Sequence, residues 1–152
     1  AKADYEVATE QFKLSSSEKP IFVPEKGNIN LNETADALVV KGERFEAVFS
    51  KEEGTLSAYT LNNIPLISKG LELNLFRAPT DNDKQVSGDW QRKGLYQLQA
   101  ETGKWETHQE EDRITLHIRN CHKGKLGFEY RTEIEYTVNA DGSIMVNSVI
   151  IP

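Results

Sequence analysis

This 152-residue chain has one cysteine, one methionine, five prolines and no excess of basic residues. A single cysteine, Cys121, excludes an internal disulfide framework. It leaves the compartment open between cytoplasm and periplasm. No apolar run approaches the roughly 18 residues of a membrane span, and the opening AKADYEVATEQ has none of the features of a signal peptide. Lys and Arg number 18 against 24 Asp and Glu, a formal net charge of −6, with no basic cluster. An electrostatic face for phosphates is therefore missing, and nucleic acid is not an expected partner. The hydrophobic share, 38%, is slightly lean. That suits a β-rich domain with one solvated sheet face, or a piece of something larger.

What is present is alternation. Phe45, Ala47 and Phe49 share one face of a strand, and Leu56, Ala58 and Thr60 share a face of the next. Asn62-Asn63 follows as a two-residue hairpin turn, because asparagine tolerates positive φ. Further strands are expected over Leu38–Lys41, Lys104–Glu110, Arg113–Arg119, Phe128–Val138 and Ser143–Ile151. The longest has Phe128, Tyr130, Thr132, Ile134, Tyr136 and Val138 on one side. Asn139-Ala140-Asp141-Gly142 then turns the chain, with Gly142 free to take positive φ. Between Gln85 and Gln97 the period changes to that of a short helix, with Ser87 or Asp89 as cap and Gly94 as stop. These patterns predict a mainly β fold, an antiparallel β-sandwich with one short helix.

The stretch Leu71–Asp83, LELNLFRAPTDND, stands apart. Leu71, Leu73 and Leu75 alternate with Glu72 and Asn74, as in a half-buried strand. Arg77-Ala78-Pro79 then breaks the pattern, since Pro79 cannot join a sheet ladder and forces Ala78 to be extended. Asp81, Asn82 and Asp83 supply short polar groups that cap turns. Asp81 and Asp83 form the one tight carboxylate pair on a defined loop. Such a pair either converges as a catalytic acid–base couple or caps neighbouring backbone. Arg77, a guanidinium at the end of a strand, calls for a carboxylate partner: Asp81, Asp83 or one on a neighbouring domain.

Other chemistry finds little support. Asp81-Asn82-Asp83 lacks the alternate spacing and glycine of a calcium loop. Cys121-His122 has no second Cys or His at zinc spacing, and His108 and His117 fall on different strands. No metal is expected in this chain. Trp90 and Trp105 are the candidate platforms for a sugar ring, with packing against the sheet as the alternative for each.

The string N-L-F-R-A-P-T-D-N-D-K, Asn74 to Lys84, resembles the R-A-P-x-D-N-D segment in the C-terminal β-sandwich domain of lac-type β-galactosidases, the family-two glycoside hydrolases. The texture F-x-A-x-F-S-x-x-x-G-x-L from Phe45 is similar to the opening of that domain. E-V-A-T-E-Q-F-K-L, Glu6 to Leu14, looks like the last strand of the preceding immunoglobulin-like domain. The resemblance implies that 1–19 are that strand, expected over Ala3–Leu14, with a Ser-rich linker, and that 20–152 are the first half of a galactose-mutarotase-like supersandwich, here truncated. It implies a parent that hydrolyses terminal β-galactosides with retention, none of whose catalytic carboxylates lie here, because the family places them in a central barrel. Divalent and monovalent cations would sit in other domains, and the parent would be a homo-oligomer. Arg77, Asp81, Asn82, Asp83 and Trp90 would then line the sugar-pocket rim or dock onto another domain. The alternatives from other classes are a free-standing carbohydrate-binding sandwich and a structural module that self-associates through exposed strand edges.

Overall fold

A computed structural model describes Phe12 and residues 23–152. The strand expected over Ala3–Leu14 and the linker Ser15–Pro20 otherwise lie outside the described residues. Among the described residues, ten strands form two antiparallel sheets. The first runs in sequence order through β1 (Asn30–Glu33), β2 (Ala37–Lys41), β3 (Phe45–Ser50), β4 (Thr55–Leu61) and β5 (Ile64–Pro65). The second contains β6 (Gln99–Thr102), β7 (Glu106–Gln109), β8 (Arg113–Lys123), β9 (Glu129–Asn139) and β10 (Ile144–Ile151). Its order is β10-β9-β8-β6, and β7 pairs with another part of β8. Helix α1 (Ser87–Lys93) lies in the connection between the sheets.

The sheets pack face to face because alternation gives each one an apolar side. Leu38, Val40, Phe45, Ala47, Phe49 and Leu56 from the first meet Ile114, Leu116, Ile118, Tyr136 and Val138 from the second. Phe49 sits at the centre, edge-on to Tyr136 with ring centroids 5.0 Å apart and to Trp105 at 5.8 Å. The Thr55 hydroxyl donates to the Leu71 carbonyl at 2.8 Å, so it accepts from the Tyr136 hydroxyl at 3.2 Å. That pair ties the two sheets through a buried polar contact.

The turns follow their residues. Asn62 and Asn63 take φ of 50° and 64°, and Leu61 pairs with Ile64 across them. Gly142 turns the β9–β10 hairpin at φ 94°, and its carbonyl accepts from the Tyr59 hydroxyl at 2.7 Å. Gly54, in the β3–β4 turn, has φ 64°, and a Cβ there would lie 2.6 Å from Asn120 Oδ1. Glycine is needed at this point for both reasons: the backbone is left-handed and the other sheet lies against it.

Several expectations need correction. Leu71–Phe76 forms no strand; residues 71–80 are irregular throughout. Only Leu71 is tied, its N–H donating to Leu56 O at 3.2 Å and its carbonyl accepting from Thr55. No strand among the described residues runs alongside the rest, and alternation without a partner ladder does not make a strand. In β4 the inward face is Leu56, Tyr59 and Leu61 rather than Leu56, Ala58 and Thr60. The register passes from Val48↔Ala58 to Phe49↔Leu56, so Ser57 is an extra residue. A bulge of one residue reverses which side chains point inward. Helix α1 is flanked by Val86 without a side-chain cap, not by Ser87 or Asp89, whereas Gly94 ends it at φ 72° as expected. Strands β1 and β6, polar and short, carry too little alternation to stand out in the sequence.

Candidate functional site

The loop after Leu75 is shaped by one carboxylate. Asp83, only 8% exposed, closes a 3₁₀ turn over Asp81–Asp83 and faces back to the start of the loop. Arg77 grips it with both ends of the guanidinium: Nη1 donates to Oδ2 at 2.6 Å and Nη2 to Oδ1 at 2.9 Å. The same Oδ2 accepts from the Thr80 N–H at 2.7 Å and from the Thr80 hydroxyl at 2.8 Å. Bidentate charge-assisted bonds of this kind are the strong and directional ones. Pro79 holds the intervening backbone extended, so the fork spans a preset loop rather than having to order a loose one. These bonds, led by that from the Thr80 N–H and then by the Arg77 guanidinium, hold the Asp83 carboxyl below the usual carboxylate range despite its burial.

The other residues are arranged around this fork. The Arg77 guanidinium lies over the Trp90 ring, Cζ 5.5 Å from its centroid, so the cation meets the carboxylate through its N–H edge and an aromatic ring beside it. Trp90 comes from α1, which is how a helix without a buried residue is fastened to the loop. Asp81 points away, its side chain 93% exposed and 3.1 Å from Lys84 Nζ. Asn82 is exposed. Of the residues named from sequence, Arg77, Asp83 and Trp90 are thus brought together, and Asp81 and Asn82 are not. The expected pairing of Arg77 with a carboxylate of this chain is present, and its partner is Asp83. Trp105 is placed in the core between Phe49 and Tyr136.

A second feature was not anticipated. Between residues 69–75 and the inner face of β8 and β9 lies a cleft of about 510 Å³, lined among others by Leu71, Leu73, Leu98, Asn120, His122 and Thr132. Asn120 and His122 come from the end of β8, which extends four residues beyond the expected Arg119, and Thr132 comes from β9. Continuing the inward alternation of Ile114, Leu116 and Ile118 would have assigned Asn120 and His122 to this face. His122 stacks on Tyr130 at 4.6 Å with the rings nearly parallel, and Nε2 lies 3.1 Å from Thr132 Oγ1. Asn120 Nδ2 donates to Gly54 O at 3.0 Å, while Asn120 Oδ1 and Tyr130 Oη find no hydrogen-bond partner among the described residues. Among those residues no cluster of three or more His, Cys, Asp or Glu is arranged to hold a metal ion.

Burial pushes the His122 imidazole below its ordinary value. Its neutral form is therefore favoured by folding. The resulting contribution is fully present above about pH 6.5 and is lost as pH falls, because the unfolded chain then binds the proton more readily. Urea denaturation of the chain between pH 8 and pH 5 checks this: wild type is expected to lose stability below pH 6.5, and His122→Gln to lose less over the same interval.

A family model described as "Beta galactosidase small chain" matches residues 41–152. The chain belongs to that family. The match starts at the end of β2 and takes in the loop, the helix and the whole second sheet. Among curated relatives, the chain is 30% identical to "Beta-galactosidase" of Pseudoalteromonas haloplanktis over 97% of its own length. It is 25% identical to that of Actinobacillus pleuropneumoniae over 95% and 27% identical to that of Priestia megaterium over 100%. The chain spans only 16%, 15% and 15% of the length of these three relatives. It thus matches one part of each of those polypeptides, and no helix among its described residues is long and apolar enough to cross a membrane.

Proposed function

We propose that this chain is a non-catalytic scaffold and pocket-wall part of a β-galactosidase that hydrolyses terminal β-D-galactosides with retention. The observation that carries the reading is the Arg77–Asp83 fork. A nucleophile or general acid must meet substrate with a free carboxyl oxygen. Both oxygens of Asp83 are already engaged by Arg77 and Thr80. Asp81 points into solvent beside Lys84. The pair therefore has the form of a loop clamp rather than of an acid and its nucleophile. A clamp presents a fixed surface, which suits a rim or docking loop carrying Arg77, Asp81, Asn82, Asp83 and Trp90. The catalytic carboxylates, the divalent and monovalent cations and the contacts of a homo-oligomer belong, on this reading, to the rest of the polypeptide. A free-standing sugar-binding module is less well supported, because Trp105 is packed in the core and the Trp90 face is covered by Arg77.

Hydrolysis of o-nitrophenyl β-D-galactoside tests the proposal. The isolated chain is expected to show no turnover, and the complete β-galactosidase polypeptide that carries it is expected to be active. Turnover by the isolated chain that copurifies with it through two unrelated chromatographic steps would overturn the non-catalytic assignment.

A further inference from the structure

We propose, resting on the reading of this chain as one part of a larger enzyme, that Leu126 at the tip of the β8–β9 hairpin is an anchor residue. Its side chain enters an apolar socket on another part of the same β-galactosidase.

The backbone of the turn speaks against a leucine. The hairpin closes with Gly124 N–H donating to Phe128 O at 2.8 Å and Phe128 N–H donating to Lys125 O at 3.1 Å. Between them Leu126 and Gly127 take φ of 56° and 75°. Two-residue turns with positive φ at both central positions favour Asn, Asp or Gly at the first, because an ordinary Cβ crowds the carbonyl oxygen that follows. The β4–β5 hairpin obeys this rule, with Asn62 and Asn63 at 50° and 64°. Among the described residues Leu126 is the one residue other than Asn and Gly in that conformation.

Exposure points the same way. Leu126 is 81% exposed, more than any other large hydrophobic residue among those described. The tip stands clear of the chain, since a Cβ on Gly127 would meet nothing within 4 Å. An exposed leucine alone is ordinary. A leucine that is both exposed and left-handed carries two local penalties that asparagine would avoid.

The tip is also firmly backed. Lys125 N–H donates to Lys93 O at 2.7 Å, and a Cβ on Gly124 would lie 2.3 Å from the same oxygen. The base of the hairpin thus lies backbone to backbone against the end of α1. Trp90, about one helical turn earlier, meets the Arg77 guanidinium. Leu126 and the Arg77–Asp83 clamp therefore belong to one connected surface. A side chain held out on a fixed support loses little freedom on docking.

Lys93 and Lys125 beside the tip are exposed, which confines the apolar contact to one side chain. That suits a pocket in a folded neighbour better than a broad apolar face or a bilayer. The neighbour at hand is polypeptide of the same enzyme. The relatives hold more than four-fifths of their length outside the matched stretch, since this chain spans 15–16% of it. Covalent connection gives that polypeptide a high effective concentration.

Leu126→Asn tests this, because its two expected effects have opposite signs. Asparagine accepts positive φ, so the isolated chain is expected to melt a few degrees higher. The complete β-galactosidase polypeptide is expected to melt lower, having lost its anchor. Hydroxyl-radical footprinting of the unaltered protein gives a second measurement, with buried Tyr136 as the protected reference. Leu126 is expected to be oxidised on the order of tenfold more slowly in the complete polypeptide than in the isolated chain. Unchanged or higher melting of the complete Leu126→Asn polypeptide would overturn the proposal, and so would equal oxidation of Leu126 in the two forms. Lower melting of the isolated variant would place the contact of Leu126 within this chain and overturn it as well. A dimer of the isolated chain that Leu126→Asn abolishes, with the complete polypeptide unaffected, would assign the socket to a second copy instead. Any of these failures leaves the scaffold reading standing while the isolated chain stays inactive on the galactoside. Turnover by the isolated chain removes the scaffold reading whatever Leu126 does.

Discussion

Replacing Phe49 with alanine is expected to lower the unfolding free energy by about 3–5 kcal/mol, enough to unfold much of the chain at ordinary temperature if its stability is at the low end for a domain of this size. Phe49 is fully buried, and from the first sheet it meets two aromatic rings of the second, Tyr136 and Trp105. Truncation removes the transfer free energy of the ring and leaves a cavity between two sheets whose backbones are held apart by their own ladders. Those sheets cannot collapse far into it. Phe49→Leu keeps most of the volume and is expected to cost clearly less. Urea denaturation of the two variants under one buffer condition measures the difference. A loss below about 1 kcal/mol for Phe49→Ala would mean that the sheets are not packed on each other at this point.

Asp83→Ala is expected to reduce turnover by the complete β-galactosidase on the order of tenfold to a hundredfold, if its loop forms part of the pocket wall, because small displacements of a positioned wall are costly to rate. The substitution frees Arg77 from its fork, removes two bonds to Thr80 and leaves the guanidinium with Trp90 and a long bond to the Ala78 carbonyl. Arg77→Lys is expected to give a partial loss, since an ammonium keeps the charge but cannot make two parallel bonds. Asp81→Asn, whose side chain is exposed and meets only Lys84, is expected to lose much less turnover than Asp83→Ala, because the clamp stays intact. Steady-state kinetics on o-nitrophenyl β-D-galactoside decides between them. Full activity in Asp83→Ala would show that the loop is remote from the pocket. The same clamp has a pH signature. Asp83 is held below the ordinary carboxylate range in the folded chain, so its contribution is present above about pH 4. It is lost as pH falls through the lower folded value.

The sequence was most legible where period and turn chemistry agreed. Phe45, Ala47 and Phe49 face the core as their alternation required, and Asn62-Asn63 and Gly142 turn the chain where positive φ was needed. The fork at Arg77 was partly legible: a lone guanidinium beside two aspartates and a proline pointed to a pair, though not to Asp83 over Asp81. The miss in β4 has a simple cause. A bulge at Ser57 leaves no mark in composition, and it reverses every side chain after it. The strand expected over Leu71–Phe76 failed for the opposite reason. Its local pattern was sound, but a strand is made by its neighbour, and only Leu71 has one. The cleft residues Asn120 and His122 were overlooked because the expected strand was ended at Arg119, four residues before the ladder with β9 stops.

By itself, the sequence determined the class of the fold, the positions of most strands and turns, the family, and the residue types available for the loop. These depend on interactions of short range, alternation over a few residues or a backbone angle at one, and on a motif that can be matched directly. The tertiary structure decided which aspartate Arg77 holds, that its guanidinium rests on Trp90, which face of β4 points inward, and that the end of β8 and Leu71–Leu75 border one open cleft. Each of these needs groups far apart in the chain, or on separate elements, to meet at a defined distance, and no local pattern encodes that distance.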